Sequence, residues 1–272
     1  MLTPAARHEM YNVFPLAARL RNQSMKTEGG SETAKRNAGK RAAKEVTDGS
    51  VVGLGTGSTA AYAIEAIGRA VDDGLDVQGI PTSFQSRQLA LEVGIPLTSL
   101  DAVDGVDLAI DGADQVRDDP SPNAETDANA TTANSNGDGT LIKGGGGAHA
   151  REKLVAAAAD RFVVVADPSK LVPELDRSVP VEILPAAHTT VAERVRELGG
   201  EPTLRDAERK DGPVVTDNGN LVLDVAFGPI DSPAELAPTL AAIPGVVEHG
   251  LFIGLADATY VGTADGVEKR TY

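Results

Sequence analysis

The chain has 272 residues, no cysteine and a net charge of −15, from 40 acidic and 25 basic residues. The missing cysteine excludes disulfides, zinc–thiolate sites and a cysteine nucleophile, and the negative charge disfavours nucleic acid or an anionic membrane as a partner. No apolar run is long enough to cross a bilayer, and residues 1–24 contain no continuous apolar segment, so we expect a cytoplasmic protein. The acidic excess is typical of a soluble surface and, more specifically, of adaptation to high salt.

The first part of the chain alternates helices and strands, which predicts a mainly parallel sheet with helices on both faces. Residues 1–24 are expected to form a weakly ordered extension, and Met25 is a candidate natural start. We therefore expect a doubly wound, Rossmann-like α/β domain. Its predicted elements are a helix over 35–46, a strand over 51–54, a helix over 59–71, a strand over 77–80, a helix over 85–93, strands over 106–110 and 141–142, a helix over 148–159 and a strand over 162–166.

Two segments depart from this alternation. Residues 117–139 are rich in Asp, Asn, Ser, Thr, Pro and Gly, which predicts a solvated polar insertion loop. From Pro180 the order changes to that of a small α+β, ferredoxin-like unit, with a hairpin through Asp217-Asn218-Gly219 between Val214–Val215 and Leu221–Leu223. The sequence therefore predicts a larger α/β domain over 25–179 and 251–272, and a small α+β domain over 180–250.

A glycine-rich segment, Gly-Leu-Gly-Thr-Gly-Ser-Thr over residues 53–59, follows the first predicted strand and opens a helix. Its glycines allow a ligand to approach the backbone, and the helix N-terminus offers free N–H groups with partial positive charge. Ser58 replaces a glycine of the dinucleotide fingerprint, and the lysine of a P-loop is missing. The segment suits a terminal phosphate better than NAD or ATP. The alternative is a tight strand–helix turn with a Ser/Thr cap.

Two further segments carry charged side chains to the ends of predicted strands, where open α/β sheets bind ligands. They are Asp111-Gly112-Ala113-Asp114 and Lys143-Gly144-Gly145-Gly146, the second lying shortly before Glu152. A lysine and bare glycine amides suit an anion, and a nearby carboxylate suits proton abstraction. The segments therefore indicate acid–base chemistry on a small anionic metabolite. Because histidines do not cluster with acidic residues, no metal site is expected.

Five motifs occur in a fixed order along the chain. They are Gly-Leu-Gly-Thr-Gly-Ser-Thr-Ala at 53–60, Asp-Gly-Ala-Asp at 111–114, Lys-Gly-Gly-Gly with Arg-Glu-Lys beyond at 143–153, Ala-Asp-Pro-Ser-Lys at 166–170 and Val-Val-Thr-Asp-Asn-Gly-Asn at 214–220. With these motifs the chain resembles the type A family of ribose-5-phosphate isomerases over residues 33–272, apart from 117–139. The resemblance implies an aldose–ketose isomerase that interconverts ribose 5-phosphate and ribulose 5-phosphate without metal or cofactor.

The resemblance also implies roles for individual residues. Glu152 matches the proton acceptor, which would act through an enediolate intermediate. Lys143 is suited to stabilise the oxyanion, and Asp111 to help open the sugar ring. The implied substrate contacts are Lys35, Thr56, Gly57, Ser58 and Thr59 at the phosphate end, Lys170 as a further lysine, and Asp111, Gly112, Ala113, Asp114, Lys143, Gly144, Gly145 and Gly146 at the sugar.

Each of these residues also has a purely structural interpretation. Glu152 near a helix N-terminus is alternatively a surface residue that stabilises the helix dipole. Asp111 and Asp114 alternatively cap a turn, and Lys170 is alternatively a solvated loop residue. His149 is interpreted as a neighbour of the glycine turn without a chemical role. Gln115 departs from the family pattern, which often has glutamate there, and so alters a hydrogen bond behind the site.

Two rival functions use the same features. One is another sugar-phosphate enzyme on a similar scaffold, such as a hexosamine-phosphate deaminase. The other is a non-catalytic sugar-phosphate sensor, which would lack the base and carry a DNA-binding module. Glu152 is present, and residues 1–50 contain no convincing helix-turn-helix, so the isomerase is preferred. Its expected partners are a small sugar phosphate and further copies of the chain, in a homodimer or homotetramer.

Overall fold

The computed structural model describes residues 30–118, 132–134 and 139–272. The predicted extension over 1–24, Met25 and most of the 117–139 segment lie outside these residues. In chain order, the helices and strands are α1 (Glu32–Ala43), β1 (Ser50–Leu54), α2 (Ser58–Asp72), β2 (Val77–Pro81), α3 (Phe84–Glu92), β3 (Leu108–Gly112), β4 (Gln115–Arg117), β5 (Thr132–Asn134), β6 (Leu141–Ile142), α4 (His149–Ala158), β7 (Phe162–Ala166), β8 (Leu171–Val172), β9 (Val179–Ile183), α5 (His188–Glu197), β10 (Glu201–Leu204), β11 (Leu221–Ala226), α6 (Pro233–Ala241), β12 (Val246–His249), β13 (Leu251–Phe252), β14 (Ala258–Gly262) and β15 (Val267–Thr271).

The largest sheet has seven strands in the order β2-β1-β3-β7-β14-β15-β5. The five strands from β2 to β14 are parallel, whereas β15 runs antiparallel to β14. Alternate residues of β7 face opposite sides, as expected for a strand buried on both faces. Val163 and Val165 pack in the cluster with Ala38 of α1 and Ile64 of α2, while Val164 packs with Val155 of α4. Helices on both faces confirm the predicted doubly wound α/β class.

The chain changes direction across the sheet at β1: it continues first to β2 on one side of β1 and then to β3 on the other side. Leu54, the last residue of β1, pairs with Ile110 in the middle of the parallel strand β3. The segments that follow these strands therefore leave the sheet side by side. Ligands of open α/β sheets bind at this switch point, so the fold brings the predicted glycine-rich and acidic segments to the expected place.

A second sheet has four short strands in the order β13-β6-β4-β8. The expectation that residues 141–142 belong to the parallel sheet is wrong, because β6 pairs antiparallel with β4 and with β13. A segment of two apolar residues is too short to form a strand of the larger sheet. Its backbone N–H and C=O groups are paired by the neighbouring antiparallel strands instead. Lys143 still follows a strand end, but it approaches the site from this small sheet.

The segment from β9 to β12 forms a separate antiparallel sheet in the order β10-β11-β9-β12. With α5 and α6 the chain order is β-α-β-β-α-β, which is the ferredoxin-like arrangement. Its core packs Val181 and Leu223 of the sheet against Val191 of α5 and Leu240 of α6. The predicted small α+β unit is therefore confirmed.

The hairpin predicted inside this unit is wrong in its first strand. The turn forms as expected, since Gly219 has φ of 84° and its N–H donates to Thr216 O at 2.9 Å. Before the turn, however, Val215 makes only an isolated bridge to Leu221. The reason is that β11 pairs with β10 on one side and β9 on the other, so both of its edges are already occupied.

The polar insertion is also shorter than the predicted 117–139. Arg117 belongs to β4, and its N–H donates to Thr140 O at 3.0 Å. Asp118 forms an ion pair with Arg270 at 2.5 Å, and Gly139 is buried. Within the segment, β5 pairs in parallel with β15. Polar composition did not reveal these contacts, because they depend on strands distant in sequence.

We propose domain boundaries near residues 180 and 250, because β9 begins at Val179 and β12 ends at His249. The larger domain then comprises the chain before and after this unit, as the sequence predicted. None of the helices in the described ranges combines the length and the apolar character that crossing a membrane requires.

Candidate active site

The loop after β1 is attached to the end of β3 through Asp111. The Asp111 Oδ1 atom accepts hydrogen bonds from Thr56 N at 2.9 Å and from Gly112 N at 2.7 Å. Gly55 permits this approach, because a Cβ atom there would lie 2.3 Å from the Asp111 carboxyl carbon. The predicted glycine-rich and acidic segments therefore form one continuous surface.

Asp111, Lys143 and Glu152 meet in a nearly closed cluster. The Lys143 Nζ atom lies 3.1 Å from Asp111 Oδ2 and 3.5 Å from Glu152 Oε2, and it also donates to Gly112 O. The exposed fraction of each of the three side chains is 5% or less. The alternative that Glu152 is an exposed surface residue is therefore wrong. Asp111 also does more than cap a turn, since it contacts the lysine.

The three groups perturb one another's proton affinity. Burial raises the pKa of Glu152 to about 8, and the negative charge of Asp111 adds to this effect. Burial likewise raises the pKa of Asp111, although Lys143 opposes the shift. For Lys143, burial acts to lower the pKa, but Asp111 and Glu152 outweigh it and the pKa is raised. The raised pKa of Lys143 keeps its ammonium group charged, and the strongly raised pKa of Glu152 is of the kind found at functional sites.

A tight turn of four glycines follows Lys143. The Gly147 N–H donates to Gly144 O at 2.9 Å. Gly144 has φ of 103°, and a Cβ atom there would lie 2.7 Å from His149 Nδ1, so glycine is required. His149 is the predicted neighbour of this turn and is fully buried. Burial lowers the pKa of His149 to about 3, and its neutral Nε2 accepts a hydrogen bond from Glu182 N at 3.1 Å.

Asp114 holds the glycine turn against the acidic segment. Its Oδ2 atom accepts a hydrogen bond from Gly145 N at 2.7 Å, and its own N–H donates to Ile142 O at 2.8 Å. Ala113 is half-buried and Gly146 is exposed. The alternative that Asp114 caps a turn is therefore supported, and the turn that it caps is the glycine turn after Lys143.

The site opens to solvent at the start of α2. Gly57 is the N-cap residue with φ of 102°, and no side-chain hydrogen bond caps this helix end. Gly57 and Ser58 are exposed, while Thr59 is buried in the first helical turn. The alternative of a turn with a Ser/Thr cap is therefore wrong. The first amides of α2 are oriented as in helix N-termini that bind anions.

Thr56 also contacts the segment after β2, which sequence analysis did not associate with the site. Its hydroxyl donates to Ser83 Oγ at 2.7 Å and lies 2.9 Å from Thr82 Oγ1. Ser83 is itself the N-cap residue of α3, where it accepts a hydrogen bond from Ser86 N at 3.1 Å. The glycine-rich loop is therefore supported by the start of a second helix.

The two remaining predicted lysines lie within electrostatic range of each other. Lys170 is buried in the short 3₁₀ turn Pro168–Lys170, so its interpretation as a solvated loop residue is wrong. Burial lowers the pKa of Lys170, Asp114 opposes this shift, and the charge of Lys35 contributes to it. Lys35 is half-buried on α1. Two cations therefore lie near the acidic segment.

Arg205 is a further site neighbour that the sequence analysis missed. Its Nη1 atom donates to Gly144 O at 3.0 Å and to Gly145 O at 3.1 Å. The same guanidinium pairs with Asp224, with 2.8 Å between Nε and Oδ2. A lone arginine after a short strand gives no signal in the sequence, because its partners are backbone carbonyls 60 and 61 residues away.

The turn at 217–219 also joins the two domains. Asp217 Oδ2 accepts a hydrogen bond from Phe84 N at the start of α3, at 2.7 Å. Asn218 Oδ1 accepts one from Arg151 Nε on α4, also at 2.7 Å. The sequence marked this turn as a hairpin and as part of the fifth family motif, but did not indicate a contact between the domains. A fully buried carboxylate, Glu182, fixes it by accepting hydrogen bonds from the side chains of Thr216, Asn218 and Asn220.

Gln115, the departure from the family pattern, lies behind the acidic segment. Its Oε1 atom accepts hydrogen bonds from Asp176 N and Arg177 N, both at 3.0 Å, and its Nε2 atom donates to Asp176 Oδ1 at 2.5 Å. A glutamate at this position would face the Asp176 carboxylate without a proton to donate. The amide therefore suits its surroundings.

The fold and the cluster together define an α/β enzyme whose buried carboxylates and lysine lie at the switch point of a doubly wound sheet. Across residues 30–118, 132–134 and 139–272, no three His, Asp or Glu side chains are grouped so that they could hold a metal ion.

Comparison with known proteins identifies the family. The family model "Ribose 5-phosphate isomerase A (phosphoriboisomerase A)" matches residues 78–122 and 130–266. Ribose-5-phosphate isomerase A from Haloarcula marismortui is 64% identical over 90% of this chain and 98% of its own length, and that from Halorubrum lacusprofundi is 62% identical over 89% and 98%.

Solved structures give the same result. A D-ribose-5-phosphate isomerase in complex with phospho-erythronic acid has a TM-score of 0.80 and 40% identity, covering 90% of this chain and 100% of its own. The enzyme from Methanocaldococcus jannaschii has a TM-score of 0.77 and 44% identity, covering 88% and 98%. The chain therefore belongs to the ribose 5-phosphate isomerase A family, and the haloarchaeal relatives fit its acidic composition.

Proposed function

We propose that this isomerase interconverts D-ribose 5-phosphate and D-ribulose 5-phosphate through an enediolate, with Glu152 as the proton acceptor. The observation that carries the proposal is the buried contact of Glu152 with Lys143, beside Asp111. A carboxylate whose pKa is raised to about 8 is a far better base near neutral pH than an ordinary one, and it is still able to ionise there.

The proposed reaction moves one proton between adjacent carbon atoms. Glu152 removes the proton from C2 of the open-chain aldose, and the electron pair forms the C1–C2 double bond as the carbonyl oxygen at C1 becomes an oxyanion. The proton held by Glu152 is then returned to C1, while the C2 hydroxyl proton passes to the oxyanion at O1, so that O1 becomes a hydroxyl and O2 becomes the ketone oxygen. Each step is reversible, so one carboxylate serves both directions.

Lys143 stabilises the negative charge that develops on the oxygen atoms. Its ammonium group already bonds Gly112 O and Asp111, so it is held in place before the reaction begins. Such preorganised donors contribute more in a dry site than in water. The amide of exposed Gly146 supplies a further donor, whereas that of Gly145 is already bonded to Asp114. Asp111 promotes opening of the furanose ring by accepting the C1 hydroxyl proton and delivering it to the ring oxygen as the bond between that oxygen and C1 breaks.

The phosphate group occupies the open end of the site. Exposed Gly57 and Ser58 at the uncapped start of α2 offer N–H groups, and Thr56 and Thr59 complete the loop. Lys35 and Lys170 add positive charge that compensates for the acidity of the rest of the protein. The complex of a related isomerase with phospho-erythronic acid supports a sugar-phosphate ligand for this chain.

Three parts of the proposal concern the whole protein. The acid–base groups suffice for the reaction without a metal or cofactor, because Lys143 supplies the electrophile. The enzyme acts in the cytoplasm. It forms a homodimer or homotetramer, for which equilibrium sedimentation is the direct test.

The decisive experiment is a coupled assay of the purified protein with ribose 5-phosphate in EDTA, at low and at multimolar KCl. Formation of ribulose 5-phosphate in EDTA supports the proposal. A protein without turnover at any salt concentration would contradict it. Ammonia release from glucosamine 6-phosphate in place of isomerisation would indicate the hexosamine-phosphate deaminase instead.

A further inference from the structure

Arg205 is the side chain of the smaller domain that contacts the glycine turn at two successive carbonyl groups. It extends across the domain boundary, where its Nη1 atom donates to Gly144 O and Gly145 O. On the other edge of the guanidinium, Nε and Nη2 donate to the Asp224 carboxylate. The Arg205 side chain is 12% exposed. This planar, fixed arrangement suits arginine and not lysine.

The two carbonyl contacts determine where the neighbouring amides point. In a trans peptide the N–H group points away from the C=O group. The bonds from Arg205 therefore direct the N–H groups of Gly145 and Gly146 to the opposite side of the turn. The first meets Asp114 at 2.7 Å, on the side of the acidic segment. The second belongs to Gly146, the exposed residue of the turn.

We propose that Arg205 is a positioning residue: it orients the Gly144–Gly145 peptide, whose N–H binds Asp114, and it orients and polarises the Gly145–Gly146 peptide, whose N–H stabilises the enediolate. The inference rests on the proposed function, because it concerns the charge that develops during isomerisation. Arg205 itself does not touch the substrate. A cation that binds a peptide oxygen strengthens the hydrogen bond donated by the same peptide, since hydrogen bonds in a chain polarise one another.

This role predicts a selective kinetic effect. Removing one oxyanion donor typically lowers kcat by about 10²–10³. Because Arg205 acts through the donors, we expect Arg205→Lys to lower kcat for ribose 5-phosphate by about tenfold or more. The variant should bind inorganic phosphate, a probe of the α2 end alone, with an inhibition constant within about twofold of the parent. Phospho-erythronic acid, whose carboxylate is planar and anionic like the enediolate, should bind more weakly by a factor similar to the loss in kcat.

A matched control separates this role from a structural one. Arg161 also pairs with a carboxylate, Glu45 at 2.9 Å, but it precedes β7 at the amino end of the sheet. Arg161→Lys should therefore keep kcat and both inhibition constants at parental values. Melting temperatures of both variants should be recorded under the same conditions.

Two results would overturn the inference. The first is a parental kcat in Arg205→Lys. The second is a parallel loss of kcat, phosphate binding and melting temperature, which would show that Arg205 only supports the fold. An inactive parent protein would instead reject the proposed function, and the inference with it.

Discussion

The Glu152 carboxylate lies 3.5 Å from the Lys143 ammonium, whereas Asp111 lies 3.1 Å from the same nitrogen. Lys143 is therefore bonded mainly to Asp111 and is a more distant partner of Glu152. Within the described residues, Glu152 Oε2 is a buried oxygen without a hydrogen-bond partner. Burial and the charge of Asp111 therefore outweigh Lys143, and the pKa of Glu152 is raised.

Replacing the base should abolish most of the activity. Glu152→Gln keeps the size of the side chain but cannot accept a proton, so we expect kcat to fall by about 10²–10⁴. Steady-state kinetics with ribose 5-phosphate measures the loss, and circular dichroism verifies the fold. Glu193→Gln, an exposed substitution on α5, is the control and should behave like the parent. Near-normal turnover of Glu152→Gln would remove Glu152 from the mechanism.

The kcat/KM of the enzyme should fall on the acid side of its pH profile at an unusually high pH. Burial and Asp111 raise the pKa of Glu152 to about 8, and the base acts only when ionised. We therefore expect kcat/KM to rise as pH increases through about 8 and to level off above it. The limb belongs to the Asp111–Glu152 pair, because the two titrations interact. The profile is measured at constant ionic strength, and a flat profile from pH 6 to 9 would contradict the assignment.

The phosphate group should be essential for efficient turnover. If Thr56–Thr59 and Lys35 bind it, free ribose lacks the binding energy that supports the chemistry, and its kcat/KM should be lower by about 100-fold or more. Inorganic phosphate should act as a competitive inhibitor of ribose 5-phosphate. Comparable kcat/KM values for the two sugars would show that the start of α2 is not the phosphate site.

Only one part of the polar insertion should contribute to the thermal stability of the protein. Replacing residues 119–131 with a Gly/Ser segment of equal length should change the melting temperature by less than about 2 °C, since their composition offers little apolar area to bury. Extending the replacement over β5 should lower it further, because β15 then keeps β14 but loses its second partner strand. Thermal denaturation monitored by circular dichroism compares the two variants. Equal melting temperatures would contradict the role of β5, and lost activity alone would indicate a cover over the site.

Salt should stabilise the protein. The net charge of −15 creates self-repulsion, which is screened over about 10 Å at 0.1 M salt and about 3 Å at 1 M. We expect the melting temperature to rise from dilute buffer to multimolar KCl. Salt also weakens pairing of Lys35 with phosphate, so KM is measured across the same KCl series. A melting temperature that stays flat or falls would leave the acidity as a matter of solubility alone.

The parallel sheet and the main cluster could be predicted because each depends on local pattern. Buried strands such as Phe162–Ala166 are continuous apolar runs, and Asp111 and Lys143 each follow such a run directly. The family resemblance then assigned motifs that are far apart in the sequence to one site, which their spacing alone could not do. The contact of Glu152 with Lys143 follows from that combination.

Features that depend on tertiary pairing could not be predicted in this way. The two-residue strand Leu141–Ile142 takes its direction from neighbours far away in sequence, and Val214–Val215 loses its place to β10. Arg205 was missed because it recognises backbone carbonyls, which every residue has. The sequence offered no means to decide which arginine does so.

The smaller domain is inserted in the sequence of the larger one, and this order determines when the larger sheet can be completed during synthesis. The larger sheet needs β14 beside β7, yet the whole smaller domain is translated between these strands. Lys143 is also held by Gly250, whose carbonyl accepts its N–H at 2.9 Å. Such non-local contacts form late in folding. A nascent chain that ends before Gly250 therefore carries every group proposed for proton transfer but lacks the framework that holds them, so activity begins only with the last strands.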